Sequence, residues 1–205
     1  MLLLVALALA LAAAACGGAS QKSAPSTASS TGAAPSTPSR ASAGGLGALQ
    51  AEANSAAAGD IPDNQVFLVF NDAPAGYSMK YPEGWAQRGS GRAVVFRDKN
   101  NIVRVVIGSG TAPTKASVAA ELRRLKGARI AGSPQPIGLP AGRAVKVVYS
   151  TESAPNPVTG KRVILVVDRY YVSKGRRLAV VDLATPQGVD NVDAYRLMIE
   201  SFRWS

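Results

Sequence analysis

The residues from Ile61 onward form short apolar runs that are separated by turn compositions. Seven of these runs are rich in Val, Ile, Tyr and Phe, and their lengths are typical of β-strands. The runs lie at residues 66–70, 77–81, 93–97, 102–107, 143–151, 162–172 and 177–184. Short turns rich in Gly, Asn and Pro connect several neighbouring runs, and strands joined by such turns must pair antiparallel. The pattern therefore restricts the folded part to an antiparallel sheet.

Two further segments have helical periodicity. Residues 115–126 and 189–202 place apolar side chains three and four positions apart, as on one face of a helix. The run 162–172 is apolar on both faces, and a sheet with two apolar faces needs a covering layer on each side. We therefore predict one α+β domain at residues 61–205, an antiparallel β-sheet flanked by helices on both faces, which is an α/β/α sandwich.

Residues 16–60 have a different composition. They are almost wholly Ala, Ser, Gly, Thr and Pro, and such a segment cannot bury enough apolar surface to offset the entropy of ordering. We predict that it is a disordered tether. A flexible coil of roughly 44 residues has an end-to-end distance of about 35 to 40 Å, which is enough to hold a domain clear of lipid head groups.

The apolar run at residues 1–15 ends at Cys16, the only cysteine of the chain. An apolar stretch, small residues before the cut and a cysteine are the pattern of a bacterial lipoprotein signal, in which the sulfur is acylated and the peptide is cleaved before the cysteine. We therefore predict that residues 1–15 are a signal peptide and that Cys16 carries the lipid. The protein would then lie on the extracytoplasmic face of the cell membrane.

Two other interpretations of the N-terminus stay open. A transmembrane helix needs about 20 apolar residues, and this run is shorter. A secretory signal cut at an Ala-x-Ala site would release a soluble protein with a free Cys16 thiol. The segment also departs from the usual lipoprotein pattern, because Ala13 stands where leucine is common and no Lys or Arg precedes the run. A true start codon further upstream would explain the missing charge.

The chain has no histidine. This absence excludes Ser-His-Asp and Cys-His nucleophilic sites and nearly all catalytic zinc sites. An acylated Cys16 would also be unavailable as a nucleophile. We therefore predict no catalytic residue, no metal site and no cofactor.

Two aspartates, Asp168 and Asp182, lie on successive predicted strands. With a two-residue turn at Lys174 and Gly175, Arg169 faces residue 180, so Asp182 becomes a diagonal neighbour of Arg169 while Asp168 points to the other face. This geometry predicts an Arg169–Asp182 ion pair. The alternative is a hydrolase or an enzyme accessory that uses the two carboxylates as a pair.

The formal net charge of the chain is +10, and the tether carries equal numbers of each sign. The folded part therefore holds the whole excess. We select Arg123 and Arg124, at the end of the first predicted helix, and Arg176 and Arg177, beside a hairpin turn, as candidate binding residues. An exported protein is an improbable nucleic-acid binder, so an anionic lipid surface, an acidic wall polymer or an acidic protein is the expected partner. The alternative is a basic surface that only keeps the protein soluble.

Three short motifs in the folded part add a family resemblance. They are GYSMKYPEGW at 76–85, VVFRD at 94–98 and SFRW at 201–204. Together with the order of elements over residues 66–205, they resemble the PsbP family, named for an extrinsic subunit of photosystem II. The resemblance implies a small α/β/α module that docks to partners and is not a catalyst. Metal binding in some photosynthetic members involves histidine, and that role does not carry over to a chain without histidine.

These observations combine into one hypothesis for function. The protein is expected to be a membrane-tethered lipoprotein whose non-catalytic domain docks an acidic partner or an anionic surface of the cell envelope. The carboxylate-pair enzyme is one alternative, and a photosystem-associated lipoprotein is another. The sequence makes no prediction of oligomeric state.

The lipoprotein hypothesis predicts a modified N-terminus. Mass spectrometry of the protein extracted from membranes should identify lipid-modified Cys16 as the first residue, because cleavage follows acylation of the sulfur. The variant Cys16→Ala should stay unprocessed or leave the membrane. An unmodified mature N-terminus at another residue would contradict the hypothesis.

Overall fold

The computed structural model describes residues 50, 51, 54 and 58–205. The predicted signal peptide, Cys16 and most of the predicted tether lie outside the described residues. Between residues 61 and 205 the chain forms eleven strands and two helices. No helix within the described part of the chain is long and apolar enough to span a membrane.

The elements follow one another in a strand-rich order. The strands are β1 (Phe67–Asp72), β2 (Tyr77–Pro82), β3 (Ala86–Ser90), β4 (Ala93–Asp98), β5 (Asn101–Ser109), β6 (Arg129–Ile130), β7 (Gln135–Leu139), β8 (Gly142–Glu152), β9 (Ile164–Lys174), β10 (Arg177–Pro186) and β11 (Arg203–Trp204). The helices are α1 (Lys115–Leu122), between β5 and β6, and α2 (Val192–Ser201), between β10 and β11.

The strands form two separate antiparallel sheets. The main sheet has the order β3-β4-β5-β10-β9-β8-β6, with β7 also paired to β8, and the small sheet has the order β1-β2-β11. Consecutive strands pair as hairpins through most of the main sheet. There are two exceptions. β6 pairs with β8 although β7 lies between them in sequence, and β5 pairs with β10 although α1 and four other strands separate them.

The apolar core has two parts, one on each face of the main sheet. One part lies between the main sheet and a layer made of the small sheet and α2, and it includes Tyr77 and Met79 of β2 and Met198 of α2. The other part lies under α1, where Val118 and Leu122 pack against β8, β9 and β10. A capping box at Thr114 and Ser117 fixes the start of α1.

The predicted α/β/α sandwich is wrong, because the described residues form a β-rich fold. The predicted strands at 66–70 and 77–81 do not extend the main sheet. Tyr77 and Met79 alternate onto one buried face of β2, so the small sheet packs face to face on the main sheet as a second β layer. On the opposite face, the helix α1 is eight residues long, and among residues 61–205 it leaves part of the main sheet uncovered.

Four strands had no signal in the sequence. All five residues of β3 are exposed, so that strand has no apolar alternation, and β7 contains Pro136 and Gly138, which are unfavourable in strands. The strands β6 and β11 have only two residues each. Hydrophobic periodicity identifies strands that bury a face, and these elements form because a neighbouring strand offers them backbone hydrogen bonds.

The Arg169–Asp182 ion pair is confirmed, although the predicted turn is wrong by one residue. Lys174 pairs with Arg177, so the loop consists of Gly175 and Arg176, and the φ of 61° at Gly175 fits the first loop position of a type II′ turn. The register therefore shifts by two residues relative to the prediction. An even shift leaves every side chain on its predicted face, and Arg169 lies directly opposite Asp182.

The ion pair is the centre of a polar network on the α1 side of the main sheet. Arg169 donates from Nε to Asp182 Oδ1 at 2.5 Å and from Nη2 to Oδ2 at 3.0 Å. It also donates to Glu121 of α1 at 3.2 Å, and Tyr171 donates to the same carboxylate oxygen at 2.9 Å. Burial by itself would lower the pKa of Arg169, but the hydrogen bonds and charge of Asp182 outweigh burial and raise it.

The folded part of the chain reaches back to Gly59, two residues before the expected domain start. The carbonyl oxygen of Gly59 accepts hydrogen bonds from Asn101 at 2.5 Å and from Asn191 at 3.2 Å. The Ile61 N–H donates to Asn191 Oδ1 at 2.8 Å, and Asn191 also donates to Thr185 at 2.8 Å. Both asparagines are buried. This network fixes the entering chain to β5, to β10 and to the residue that precedes α2.

The variant Asn191→Ala should lower the free energy of unfolding by about 1 to 3 kcal/mol, because it leaves the buried Ile61 N–H without an acceptor. Urea denaturation of the full chain measures the change. The control is Asn64→Ala, an exposed residue of the same segment, which should change the free energy by no more than about 0.5 kcal/mol. Equal losses in the two variants would show that the network does not hold this segment.

Candidate anion-docking surface

Several turns of the main sheet meet at one end, which we call the turn end. In the register of the sheet, Ser109 lies opposite Arg177, Arg177 opposite Lys174, and Ser173 opposite Arg143. The β3–β4 turn joins them, since the Ile107 N–H donates to the Arg92 carbonyl at 2.8 Å. The turn end therefore consists of the β3–β4, β7–β8 and β9–β10 turns and the end of β5.

The turn end is cationic. Arg92, Arg143, Lys174 and Arg176 are all exposed there, and no described acid forms an ion pair with any of them. Because β4 and β8 are four strand spacings apart, the four side chains spread over about 19 Å. Asp72, which contacts the β3–β4 turn, is buried and accepts hydrogen bonds from the backbone N–H groups of residues 75 and 91. The exposed Asp, Glu, Lys and Arg side chains that the structure describes in these turns are therefore all basic.

Two of the predicted binding residues, Arg176 and Arg177, lie at the turn end but differ in their surroundings. Arg176 occupies the β9–β10 loop and is exposed. Arg177 donates from Nη1 to the Ser205 carbonyl at 2.8 Å and from Nη2 to the carbonyls of Ala75, at 3.1 Å, and Gly76. Its guanidinium also lies 4.3 Å from the centre of the Trp204 ring. Arg177 therefore joins the small sheet to the main sheet, and Arg176 presents its charge to solvent.

The other two predicted residues, Arg123 and Arg124, are exposed but lie elsewhere. They follow α1 and lead to Gly127, which lies beside Thr151. Thr151 pairs with Leu165, the second residue of β9, whereas the turn end lies beyond the last residue of that strand. Nine further residues of β9 span about 30 Å. The structure therefore does not bring the two arginine pairs together.

The two aspartates of the enzyme alternative point to opposite faces of the main sheet. Asp182 contacts Arg169 and lies 3.3 Å from Arg104 Nε. Asp168 lies 2.6 Å from Lys146 Nζ on the other face. Burial tends to lower the pKa of Lys146, but its hydrogen bond and charge interaction with Asp168 outweigh burial and raise the pKa. Each carboxylate thus has its own cation, and the two do not converge on one site.

The described residues contain no group of three or more His, Cys, Asp and Glu side chains placed to hold a metal ion. The sequence reasoning missed the grouping of Arg92, Arg143 and Lys174 with Arg176. A usable signal was present, because each of these cations is adjacent to a glycine in a turn composition. Which turns share an end of the sheet depends on strand order, and strand order has no local signal.

None of the known protein-family models matches the sequence, and no curated protein sequence matches it. The chain is similar in fold to several solved structures. Cyanobacterial PsbP (CyanoP) from Synechocystis sp. PCC 6803 is 16% identical with a TM-score of 0.46, and the match covers 72% of this chain and 98% of that chain. The family resemblance of the sequence motifs is accompanied by this structural similarity to a PsbP protein.

Two other solved structures are similar at comparable levels. A crystal structure from Bacteroides thetaiotaomicron VPI-5482 is 16% identical with a TM-score of 0.43, and the match covers 67% of this chain and 48% of that chain. The Ran-binding protein Mog1p of Saccharomyces cerevisiae is 10% identical with a TM-score of 0.42, and the match covers 69% of this chain and 96% of that chain. These likenesses concern the fold and say nothing about the ligand or partner of this chain.

The different surroundings of Arg176 and Arg177 give a stability prediction. The variant Arg177→Met should lower the free energy of unfolding by about 1 to 3 kcal/mol, because carbonyl oxygens at the sheet–sheet contact lose a charged donor. The variant Arg176→Met should change it by no more than about 0.5 kcal/mol. Chemical denaturation of both variants measures the difference, and two equal values would exclude the joining role of Arg177.

Proposed function

We propose that this protein is a lipid-anchored extracytoplasmic module that docks an acidic partner or an anionic envelope surface through the turn end of its main sheet. The observation that carries the proposal is the grouping of Arg92, Arg143, Lys174 and Arg176, which are exposed and unaccompanied by an exposed described acid at that end. Cations grouped in this way attract an anionic surface by about 1 kcal/mol each.

The position of the turn end relative to the entering chain supports the proposal. Gly59 is held at Asn101, the first residue of β5, and the turn end lies at Ser109, the last residue of that strand. A nine-residue strand spans about 30 Å, so the cationic end is distant from the point where the predicted tether joins the domain. A tether anchored at Cys16 would leave this end accessible to partners beyond the membrane surface.

The module is proposed to be non-catalytic. Asp168 and Asp182 lie on opposite faces and are each paired with a cation, and the chain has no histidine to act as a general base. No observation on the described residues therefore favours the carboxylate-pair enzyme. Association with a photosystem stays a prediction from the sequence resemblance, and the genes beside this one would test it.

The decisive experiment compares two double charge reversals in the full chain. Arg143→Glu with Arg176→Glu removes charge from the turn end, and Arg123→Glu with Arg124→Glu makes the same change in net charge in the segment that follows α1. Binding to vesicles that contain an anionic lipid, and separately to polyglutamate as an acidic polymer, is measured by cosedimentation. The turn-end variant should bind at least about tenfold more weakly, because each lost cation contributes about 1 kcal/mol.

The same binding measurements are repeated at increasing salt concentration. Between about 0.1 M and about 1 M salt the screening length falls from about 10 Å to about 3 Å, so binding of the parent protein should weaken steeply. Equal weakening by the two double variants would mean that only net charge matters, and the docking surface would be abandoned. Binding that ignores both salt and the reversals would leave the positive charge as a determinant of solubility alone.

A further inference from the structure

The face of the main sheet that carries α1 is open over β3, β4 and β5. The buried side chains on this face come from α1, β8, β9 and β10. No helix between residues 61 and 205 covers β3, β4 or β5 on this face. On the open strands the same face carries alternating apolar and basic residues. They are Ala86, Arg88, Ala93, Val95, Arg97, Ile102, Arg104 and Val106.

Three arginines of this face surround one valine. Val95 lies directly opposite Arg88 on one side and Arg104 on the other, and Arg97 follows two positions later on the same strand. Directly opposed residues have their Cβ atoms about 5 Å apart and diagonal neighbours about 7 to 8 Å apart. Arg104 is drawn toward Asp182, at 3.3 Å. No described acid forms an ion pair with Arg88 or Arg97.

A cavity of about 530 Å³ lies over this part of the sheet, and we call it the arginine groove. Arg88, Arg97 and Lys99 contribute its cations, Val95 and Ile102 form an apolar floor, and Asp98 is its one acid. The volume is within the range of about 300 to 1,000 Å³ that holds small ligands in proteins. The groove lies toward the β4–β5 turn, at the end of β4 opposite Arg92, so it is separate from the turn end.

The backbone at Lys99 is unusual. Its φ of 50° lies in the left-handed region, which glycine and asparagine occupy more readily than lysine. Lys99 is the only residue other than glycine with a positive φ within the described part of the chain. The chain therefore keeps a cation beside the groove at a position where the backbone favours glycine.

We propose that the arginine groove binds a small organic phosphate monoester. The three cations and one acid of the groove sum to a charge of +2, and a phosphate monoester carries about −1.5 to −2 at neutral pH. Guanidinium groups donate paired N–H bonds to phosphate oxygens, and Arg88 and Arg97 are placed as diagonal neighbours to do so together. The apolar floor at Val95 and Ile102 contacts the organic part of the ligand. A singly charged carboxylate would leave the groove with unbalanced positive charge.

The test uses phenyl phosphate as the probe and NMR of the full chain as the readout. Titration should produce saturable shifts at Val95 and Ile102. Arg88→Gln with Arg97→Gln should weaken binding at least about tenfold, since two charged donors are lost. The matched control, Arg143→Gln with Arg176→Gln, removes the same charge from the turn end and should change the affinity less than about twofold. That control pair also distinguishes this proposal from turn-end docking, because the two proposals depend on different residues.

A third variant tests whether weaker binding by the double variant comes from loss of folding. Lys99→Gly should weaken phenyl phosphate binding at least about threefold, because a cation leaves the groove, while the fold is kept, because glycine readily adopts the positive φ. Inorganic phosphate should bind more weakly than phenyl phosphate, because it has no organic part for the floor. Absence of saturable shifts at Val95 and Ile102, or equal weakening by the groove and turn-end variants, would overturn the proposal. Vesicle binding that needs Arg88 and Arg97 without phenyl phosphate binding would do the same.

Discussion

A buried ion pair between Arg169 and Asp182 fixes the centre of the main sheet, and the two proposed surfaces depend on it. Both side chains are nearly inaccessible to solvent. Removal of one would leave the other buried with only an exposed counter-ion, Glu121 for Arg169 or Arg104 for Asp182, and this loss would destabilise the fold. The pair holds β9 and β10 in one register, and this register decides that Arg176 lies in the loop. Arg169 also holds Glu121 of α1, which keeps the helix over β8–β10 and leaves the arginine groove open.

The net charge of +10 is unevenly distributed over the surface of the folded domain. Cations are exposed at the turn end and in the arginine groove, whereas a cavity of about 760 Å³ near the entering chain is lined by Asp60, Asp63, Asp190 and Asp193. Net charge alone would describe a uniformly basic surface. The fold places the cations of the turn end away from these aspartates, because the buried asparagine network holds the segment after Gly59 beside Asn101, at the opposite end of β5.

The seven strands that the sequence predicts all occur, and so do its two helices, because each has apolar residues at its own period. The ion pair was predictable for a related reason. An error of one residue in the position of the turn shifts the strand register by two residues. An even shift leaves every side chain on the same face of the sheet. The kind of layer that covers each face of the main sheet could not be predicted from local periodicity. Tyr77 and Met79 predict that β2 buries one face, but that pattern is the same whether a helix or a sheet provides the cover.

By itself the sequence determined the seven strands and two helices that have their own apolar period, the antiparallel pairing of the strands and the absence of histidine chemistry. Its apolar run before Cys16 is the basis of the lipoprotein prediction. Tertiary structure alone decided that β5 lies beside β10, that Arg92 and Arg143 share an end with Arg176, and that Arg88 and Arg97 face an open groove. The reason is physical. A strand's period depends on residues next to each other in the chain, whereas strand order depends on which distant faces pack together most closely.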